Sequence, residues 1–265
     1  VDDAKRIFEE QLQRLQTDYI DFYLLHAVNK EKWDAMKELG VVEYCAKLKE
    51  EGKIRYYGFS FHDDYEVFDE ILHYRDWDFC QIQYNYMDTQ EQAGDKGYAL
   101  AESLGVPLVI MEPIKGGSLA NFSEDINDRF HKMDPDRSVA SYALRWVGSH
   151  PNVKVILSGM STMEQVEDNL KTFQDFSPLS EAEEKEIESI VTELRSRVQN
   201  GCTGCRYCMP CPAGVNIPGN FKVWNNYHMY RTYDHVKWSW EKELKEEEKA
   251  KNCIKCGKCE TLCPQ

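Results

Sequence analysis

Two cysteine runs near the end of the chain constrain its fold and chemistry more than any other feature. In each run, three cysteines are separated by two residues each, and a fourth cysteine follows directly before a proline. This spacing lets one loop supply three thiolates to a [4Fe–4S] cluster, while the fourth cysteine ligates the other cluster of a pair. The first run contains Cys202, Cys205, Cys208 and Cys211, and the second contains Cys253, Cys256, Cys259 and Cys263.

Crossed ligation divides these cysteines between two predicted [4Fe–4S] clusters. One cluster takes Cys202, Cys205, Cys208 and Cys263, and the other takes Cys253, Cys256, Cys259 and Cys211. The second run has the full C-x2-C-x2-C-x3-C-P spacing, whereas the first is one residue short before its last cysteine. Zinc is an alternative, but a zinc site needs four sulfurs and seldom two triplets that each end in Cys-Pro. Disulfides are a weaker alternative, because the sequence shows no secretory signal peptide.

The charge distribution argues against a nucleic-acid partner. The chain of 265 residues carries a net charge of −14, which is −17 for residues 1–200 and +3 for residues 201–265. The tail from residue 201 has 10 Lys and Arg against 7 Asp and Glu. Nucleic acids select strongly basic surfaces, which the acidic body does not offer. The mildly basic tail would offset the charge of thiolate-bound clusters or meet an acidic redox partner protein.

The sequence predicts neither a membrane span nor a secreted protein. No apolar segment approaches the roughly 20 residues that a transmembrane helix needs. The first residues lack the apolar core and the small-residue cleavage site of a signal peptide. We therefore expect a cytoplasmic protein, because thiols stay reduced and available to iron in that compartment.

Five short apolar runs alternate with helical segments, and each predicts a buried strand of a parallel sheet. The runs are Asp18–His26, Ile54–Ser60, Phe79–Asn85, Val106–Glu112 and Val153–Ser158. Strands that alternate with helices in this way form βα units. Two further cysteines, Cys45 in a helix and Cys80 in a strand, are predicted to be small core residues and not ligands.

Cap signals locate two helices after the fifth run. Ser161 and Glu164 have the spacing of a capping box, and Ser180 begins a charged helix that ends near Gln199. The first of these N-termini lies where many βα barrels bind phosphate, although a well-capped helix alone also explains the pattern. In the tail, residues 238–252 have strong helix propensity, and no strand alternation occurs there.

The segment 12–26, LQRLQTDYIDFYLLH, resembles the fourth-strand signature of the aldo/keto reductases. Four further segments agree in order and spacing: 52–60, 81–85, 112–117 and 158–169. With the cysteine tail, the chain resembles the branch of this family that carries a C-terminal ferredoxin-type domain. The resemblance implies an α/β fold, a (β/α)8 TIM barrel whose strands four to eight lie here. A small, mainly helical two-cluster domain is expected to follow, with boundaries at 1–200 and 201–265.

The resemblance also implies a set of site residues. His26 matches the histidine that orients and polarises the substrate carbonyl. Ser60 and Gln81 match the positions that hold the nicotinamide carboxamide. The other expected cofactor contacts are Met111, Gly116, Gly117, Ser158, Gly159 and Asn169.

Several positions depart from the family pattern. Phe61 replaces a common asparagine, and Met111 replaces a tyrosine that stacks on the nicotinamide. Gly159 and Gln165 stand where NADP-preferring members place a lysine and an arginine, the cations that a 2′-phosphate requires. NAD(H) is therefore favoured over NADP(H), and flavin remains an alternative in the altered site.

The resemblance implies an oxidoreductase that interconverts small carbonyls and alcohols with a nicotinamide, with electron transfer through iron–sulfur clusters. The alternative is an altered barrel that serves as an electron-transfer or scaffold subunit of a redox complex. Hydride carries two electrons and each cluster takes one, so a mediator would be needed between them. The family's aspartate, tyrosine and lysine on strands two and three have no match here. We therefore expect about three βα units upstream and an inactive 265-residue chain when it is alone.

Overall fold

A computed structural model describes residues 1–231 and 233–265, and its sheet confirms the predicted α/β architecture. Each of the five apolar runs overlaps one observed strand. The strands are β1 (Ile20–Val28), β2 (Ile54–Phe61), β3 (Phe79–Gln83), β4 (Leu108–Met111) and β5 (Val153–Ile156). They form one sheet in the order β1-β2-β3-β4-β5, and every neighbouring pair is parallel. This order is the arrangement that consecutive βα units produce.

Helices connect the strands and make up the tail. Those of the first 200 residues are α1 (Asp2–Leu15), α2 (Lys30–Glu38), α3 (Val41–Glu50), α4 (Tyr65–Leu72), α5 (Gly94–Ser103), α6 (Glu124–Met133), α7 (Val139–Gly148), α8 (Met163–Gln174) and α9 (Glu181–Ser196). The tail contains α10 (Ile217–Tyr230), α11 (Tyr233–Trp238) and α12 (Lys258–Leu262), which confirms a mainly helical domain. No described helix is long and apolar enough to cross a membrane.

One face of the sheet forms the main hydrophobic core with the helices. Because strand side chains alternate between faces, every second residue points into this core. The core residues include Tyr57, Phe59 and Ile82 from strands and Phe8, Trp33 and Phe68 from helices. Cys45 and Cys80 lie in the same core, 3% and 0% exposed, as predicted. Burial raises the pKa of the Cys45 thiol to about 11, so this cysteine stays protonated.

The opposite face of the sheet carries aromatic side chains that remain exposed. The Phe22 ring is 65% exposed and stacks on Tyr56, with 4.8 Å between ring centroids. Phe79 meets the edge of the same Phe22 ring at 5.6 Å. Alternation places His26 on the face of Phe22 and Ser60 on the face of Tyr56. The candidate site residues therefore lie at the end of this second face.

The chain divides into two compact units. The first comprises residues 1–113 and 143–178 and contains the sheet. The second comprises residues 114–142 and 179–265 and contains both cysteine runs. The compact units therefore do not coincide with a single cut near residue 200.

Ion pairs within the second unit explain why α6 groups with α9. Arg129 Nε lies 2.7 Å from Glu186 Oε1, and Arg129 Nη1 lies 2.9 Å from Glu193 Oε2. Arg197 follows α9 and its guanidinium bonds to Asp125 of α6 and to Glu193. These charged contacts hold the two helices together on one side of the unit.

Residues 238–252 do not form one continuous helix, although their helix propensity is strong. A π-helical turn, residues 239–243, follows α11, and 3₁₀ turns follow at 246–248 and 250–252. Leu244 is extended and buried between them. The Glu248 carbonyl accepts hydrogen bonds from Asn216 N at 3.0 Å and Asn220 Nδ2 at 2.8 Å. These bonds to the start of α10 replace helical bonds, so tertiary contacts override the local propensity.

Candidate functional site

The carboxyl ends of β1 and β2 bring His26 and Ser60 close together. The register of the two strands shifts between Leu25 and Val28. Within this bulge, Ala27 adopts a left-handed conformation with φ 52°. The Ala27 N–H donates to Ser60 Oγ at 2.7 Å, and Ser60 is 1% exposed. The buried serine thus fixes the irregular backbone directly after His26.

Gln81 and Met111 lie beside Ser60 on the next strands. Ser60 pairs with Gln81 across β2 and β3. The Gln81 Nε2–H donates to Met111 Sδ at 3.4 Å. A thioether is a weak acceptor, so the Gln81 amide could donate to a stronger acceptor instead at little cost in free energy. The structure therefore brings together three of the predicted cofactor contacts.

The helix after β5 begins one residue later than the sequence predicted. Its N-cap is Thr162, whose Oγ1 accepts from Gln165 N at 3.3 Å. Gln165 Oε1 accepts in return from Thr162 N at 3.2 Å and from Ser161 N at 2.6 Å. The capping box is therefore Thr162 with Gln165, and the predicted pair Ser161 with Glu164 is wrong. The glutamine wins because its amide oxygen reaches two backbone N–H groups at once.

The remaining predicted contacts of the first unit lie in the loop between β5 and α8 and in α8 itself. Ser158 Oγ accepts from Asn169 Nδ2 at 2.9 Å, which ties the loop to the helix. Gly159 has open space around it, since a Cβ atom there would meet nothing within 4 Å. Hydrogen bonds to its own backbone N–H and to the Thr162 side chain lower the pKa of Glu164. A carboxylate therefore lies at the N-terminal end of α8.

Gly116 and Gly117 belong to the second unit, within a short 3₁₀ turn, Lys115–Gly117. Their φ angles are 59° and 94°. Glycine adopts this left-handed region without a Cβ penalty.

Sequence reasoning missed one histidine of the site. His62 follows β2, and its backbone N–H donates to the Val28 carbonyl at 2.9 Å. Partial burial, and the nearby His26 and Lys32, lower the pKa of His62, while Gln92 and Glu112 act in the opposite direction. The sequence shows that His62 directly follows the strand that contains Ser60. It does not show the neighbours of His62, because they come from distant segments of the chain.

The cysteines converge in two groups within the second unit. Burial raises the pKa of Cys208, and the neighbouring thiols Cys202, Cys205 and Cys263 raise it further. A cavity of about 300 Å³ is lined by cysteines of both runs: Cys208, Cys211, Cys253, Cys256 and Cys259. Cys208 thus borders both groups, and the crossed division of the eight cysteines stays a prediction.

Both cysteine runs share one backbone conformation. The residues on either side of the second cysteine are left-handed in each run. Their φ angles are 76° at Gly204 and 64° at Arg206 in the first run, and 55° at Lys255 and 73° at Gly257 in the second. Lys255 N–H also donates to Cys253 Sγ at 3.4 Å. Two loops with the same left-handed positions are suited to bind two clusters of the same type.

The thiol donor sets fit iron–sulfur clusters. Four thiolates are the usual ligands of a [4Fe–4S] cluster, and each neighbourhood contains four cysteines of the predicted set. As placed, the described residues contain no group of three Cys, His, Asp or Glu that could hold a metal ion. The support for clusters is therefore the convergence of eight thiols on matching loops, not a closed ion site.

Comparison with known families accounts for both parts of the chain. Residues 2–192 match the model of the aldo/keto reductase family. The chain belongs to the aldo/keto reductase family. Residues 201–265 match a 4Fe-4S dicluster domain. The reductase fold and the iron–sulfur tail that the sequence indicated are thus both confirmed.

Known aldo/keto reductases and related oxidoreductases resemble this one at modest identity. The uncharacterized oxidoreductase YqkF of Bacillus subtilis is 27% identical over 206 residues, 70% of this chain and 64% of that protein. An NADH-specific methylglyoxal reductase of Escherichia coli is 27% identical over 188 residues, 60% of this chain and 56% of that protein. The apo structure of the aldo-keto reductase AKR11C1 from Bacillus halodurans has a TM-score of 0.58 at 28% identity. The matched region covers 70% of this chain and 67% of the AKR11C1 chain.

The chain spans about half to two thirds of the curated relatives it matches, from 49% to 64% of their lengths. Its five strands carry the His26, Ser60, Gln81 and Met111 positions at one end of the sheet. In α/β barrels this carboxyl end is where catalytic residues collect.

Proposed function

We propose that this aldo/keto reductase transfers hydride between a nicotinamide and a small carbonyl or alcohol at the carboxyl end of its sheet. The observation that carries the proposal is the cluster of Ser60, Gln81 and Met111 beside the bulge that follows His26. His26 would donate a hydrogen bond to the substrate oxygen as negative charge develops there.

The nicotinamide would supply or accept the hydride, and the protein would orient it. Ser60 and Gln81 lie side by side on neighbouring strands, which suits a carboxamide with one donor and one acceptor group. Met111 would form an apolar wall next to them, in place of the family's tyrosine. Ser158 and Asn169, bonded at 2.9 Å, would hold the loop that borders the cofactor.

NAD(H) is the nicotinamide that the loop after β5 favours. Gly159 supplies no cation, and Gln165 is engaged in the capping box of α8. Glu164 adds a carboxylate at the helix N-terminus, where a 2′-phosphate would be repelled. Gly116 and Gly117 would let the backbone approach the cofactor pyrophosphate, because glycine has no Cβ atom in the way.

The tail would hold two [4Fe–4S] clusters that carry single electrons. Cys202, Cys205, Cys208 and Cys263 would bind one cluster, and Cys253, Cys256, Cys259 and Cys211 the other. The basic charge of this region suits an acidic redox partner protein. Eight free thiols also favour a reducing compartment, so we place the protein in the cytoplasm.

A second candidate is an altered barrel that acts as an electron-transfer or scaffold subunit. The observation in its favour is that Ser60 Oγ and the Gln81 amide already have partners in the protein, Ala27 and Met111. Phe61 is fully buried and packs on Phe68 of α4, with 5.1 Å between ring centroids, so its ring faces the core. In that case the sheet would bind no nicotinamide.

Steady-state turnover separates the two candidates. We expect the complete protein, with its clusters loaded, to oxidise NADH with small reactive aldehydes, and His26→Ala in that protein to lower kcat by about 10²-fold. His131→Ala, an exposed histidine on α6, is the matched control and should leave the rate unchanged. Absence of turnover with both nicotinamides and with alcohols as well as aldehydes would favour the scaffold candidate.

A further inference from the structure

Lys32 differs from the other two lysines of α2 in having no carboxylate partner. Lys30 Nζ lies 2.8 Å from Asp34 Oδ1 and 3.3 Å from Glu70 Oε2. Lys37 Nζ lies 3.3 Å and 2.9 Å from the same two carboxylates. Residues two apart on a helix point in nearly opposite directions, so Lys32 leaves α2 on another side than Lys30. Among the described residues, no carboxylate forms an ion pair with Lys32.

The ammonium group of Lys32 lies at the bulge that directly follows His26. Lys32 Nζ donates to the Ala27 carbonyl oxygen at 3.0 Å. The N–H of the same Ala27 donates to Ser60 Oγ at 2.7 Å, so one residue contacts both the lysine and a candidate cofactor contact. An ammonium group has three donors, and the Ala27 carbonyl accepts one of them. Two donors of an exposed cation therefore remain for a ligand at the carboxyl end of β1.

Other basic side chains come close to this position. Burial lowers the pKa of His62, and the nearby His26 and Lys32 lower it further, whereas Gln92 and Glu112 act in the opposite direction. The three basic side chains come from β1, from α2 and from the residue after β2. An anionic group of a ligand would be attracted to this end of the sheet, because it would meet a cation that the protein leaves without a counter-charge.

We propose that Lys32 binds the carboxylate of a 2-oxo acid, so that 2-oxo acids and the corresponding 2-hydroxy acids are the substrates of this reductase. In a 2-oxo acid the carboxylate is bonded directly to the carbonyl carbon. A cation that pairs with it must therefore lie beside the residue that contacts the carbonyl oxygen. Lys32 meets this requirement, because its partner Ala27 is the residue after His26. This inference rests on the proposed function.

The carboxylate takes no part in the chemical step. The carbonyl carbon accepts hydride from NADH and the carbonyl oxygen gains a proton from water, which gives the 2-hydroxy acid and NAD⁺. The carboxylate has the same charge in the substrate and in the transition state. The pair with Lys32 therefore strengthens binding of both to a similar extent, and its loss should raise KM more than it lowers kcat.

Pyruvate and its neutral ester methyl pyruvate test the inference in the complete protein with its clusters loaded. Lys32→Met should raise KM for pyruvate by about tenfold or more, because a charge-assisted hydrogen bond is lost. The same variant should leave KM for methyl pyruvate within about twofold, and Lys32→Arg should retain most of the affinity for pyruvate. An equal effect on the two substrates, or no effect on either, would overturn the inference.

Lys154 provides the matched control. It is an exposed lysine near the start of β5, at the other end of the sheet, and its Nζ also donates to a backbone carbonyl, that of Pro151, at 2.7 Å. Lys154→Met removes the same charge and the same kind of contact, so KM for pyruvate should stay at the parent value. A rise equal to that of Lys32→Met would show a general effect of charge and would overturn the role of Lys32.

Oxamate, an unreactive analogue of pyruvate, tests binding without turnover. Titration of the complete protein with oxamate, with and without NADH, should give a Kd that Lys32→Met raises about tenfold or more and Lys154→Met leaves unchanged. A Kd that does not depend on Lys32 would overturn the inference. Turnover of methyl pyruvate without any effect of Lys32 on pyruvate would refute this inference alone. Absence of turnover with every carbonyl would refute the proposed function, and the oxamate titration would then decide whether Lys32 binds a carboxylate.

Discussion

Ser60 is a residue with two demands on one hydroxyl group. Its oxygen accepts the Ala27 N–H at 2.7 Å inside a buried bulge, and its hydrogen is still available to a cofactor. Without the Ser60 oxygen, the Ala27 N–H would lose its hydrogen-bond acceptor. The left-handed backbone at Ala27 would then lose a bond that stabilises it. The position of His26 thus depends on a side chain of the neighbouring strand.

Ser60→Ala should therefore destabilise the protein as well as weaken cofactor binding. We expect a loss of about 1–3 kcal/mol in the free energy of unfolding, because a buried donor is left unsatisfied. Ser103→Ala removes a hydroxyl from the exposed end of α5 in the same unit and should stay within about 0.5 kcal/mol. Equal urea midpoints for the two variants would show that the Ala27 bond contributes nothing.

Gly159 is the residue at which cofactor preference can be changed most simply. A lysine there would meet no atom within 4 Å of its Cβ and could reach a 2′-phosphate. A charge-assisted hydrogen bond contributes about 1.5–3 kcal/mol, so Gly159→Lys should shift the Kd ratio towards NADP(H) by about tenfold or more. Ser103→Lys adds the same charge elsewhere and should leave the ratio unchanged. A parent protein that already prefers NADP(H) would contradict our account of this loop.

At the scale of single residues, the sequence predicts cluster ligands better than it predicts contacts between distant side chains. Cysteine spacing identifies the candidate ligands because one short loop must wrap each cluster. His62 escapes such reasoning, because the groups that shift its pKa, such as Lys32 and Glu112, come from distant segments. The left-handed conformation of Ala27 is equally hard to predict from the sequence, because it accompanies a shift in strand register.

The N-terminus of α8 illustrates how local signals fix an element to within one residue. Thr162 and Gln165 form the capping box, although Ser161 and Glu164 have the same spacing. Thr162→Ala should cost about 1 kcal/mol of stability, as loss of an N-cap side chain usually does. Ser161→Ala should cost little, because Ser161 contributes its backbone N–H to Gln165. Thermal unfolding measures both losses of stability. A larger loss in Ser161→Ala than in Thr162→Ala would show that Ser161, as predicted from the sequence, is the N-cap.

Elements whose burial follows a simple period are predictable, and elements set by tertiary bonds are not. The five strands are continuous apolar runs covered on one face by helices, so sequence reasoning places them within two residues at most ends. The segment after Trp238 has good helix formers, but Leu244 must be buried and Glu248 must meet Asn216. Those two requirements interrupt the helix.

For the molecule as a whole, the two cluster sites should be separable by mutation. The protein with both clusters should contain about eight iron and eight acid-labile sulfide per chain, four of each per cluster. Cys263→Ala should lose about half of both, because we assign Cys263 to the same cluster as Cys202, Cys205 and Cys208. Cys45→Ala, a core cysteine, should retain full iron content. A parent protein with about four iron would leave a single cluster.

The two compact units divide the chain differently from its sequence motifs. The iron–sulfur motif and the reductase motifs follow one another in sequence, which suggests a cut near residue 200. Residues 114–142 instead group with the tail, because Arg129 and Arg197 pair with carboxylates across α6 and α9. Such charged contacts leave no periodic pattern in the sequence.

Transfer of deuterium from NADH to the substrate tests the central proposal most directly. The protein with its clusters loaded is incubated with an aldehyde and with NADH labelled at C4, on each face in turn. Direct hydride transfer predicts that one of the two labelled forms places deuterium on the former carbonyl carbon of the alcohol. Loss of the label to water from both forms would contradict the account, since it would mean that electrons pass through clusters or a flavin instead.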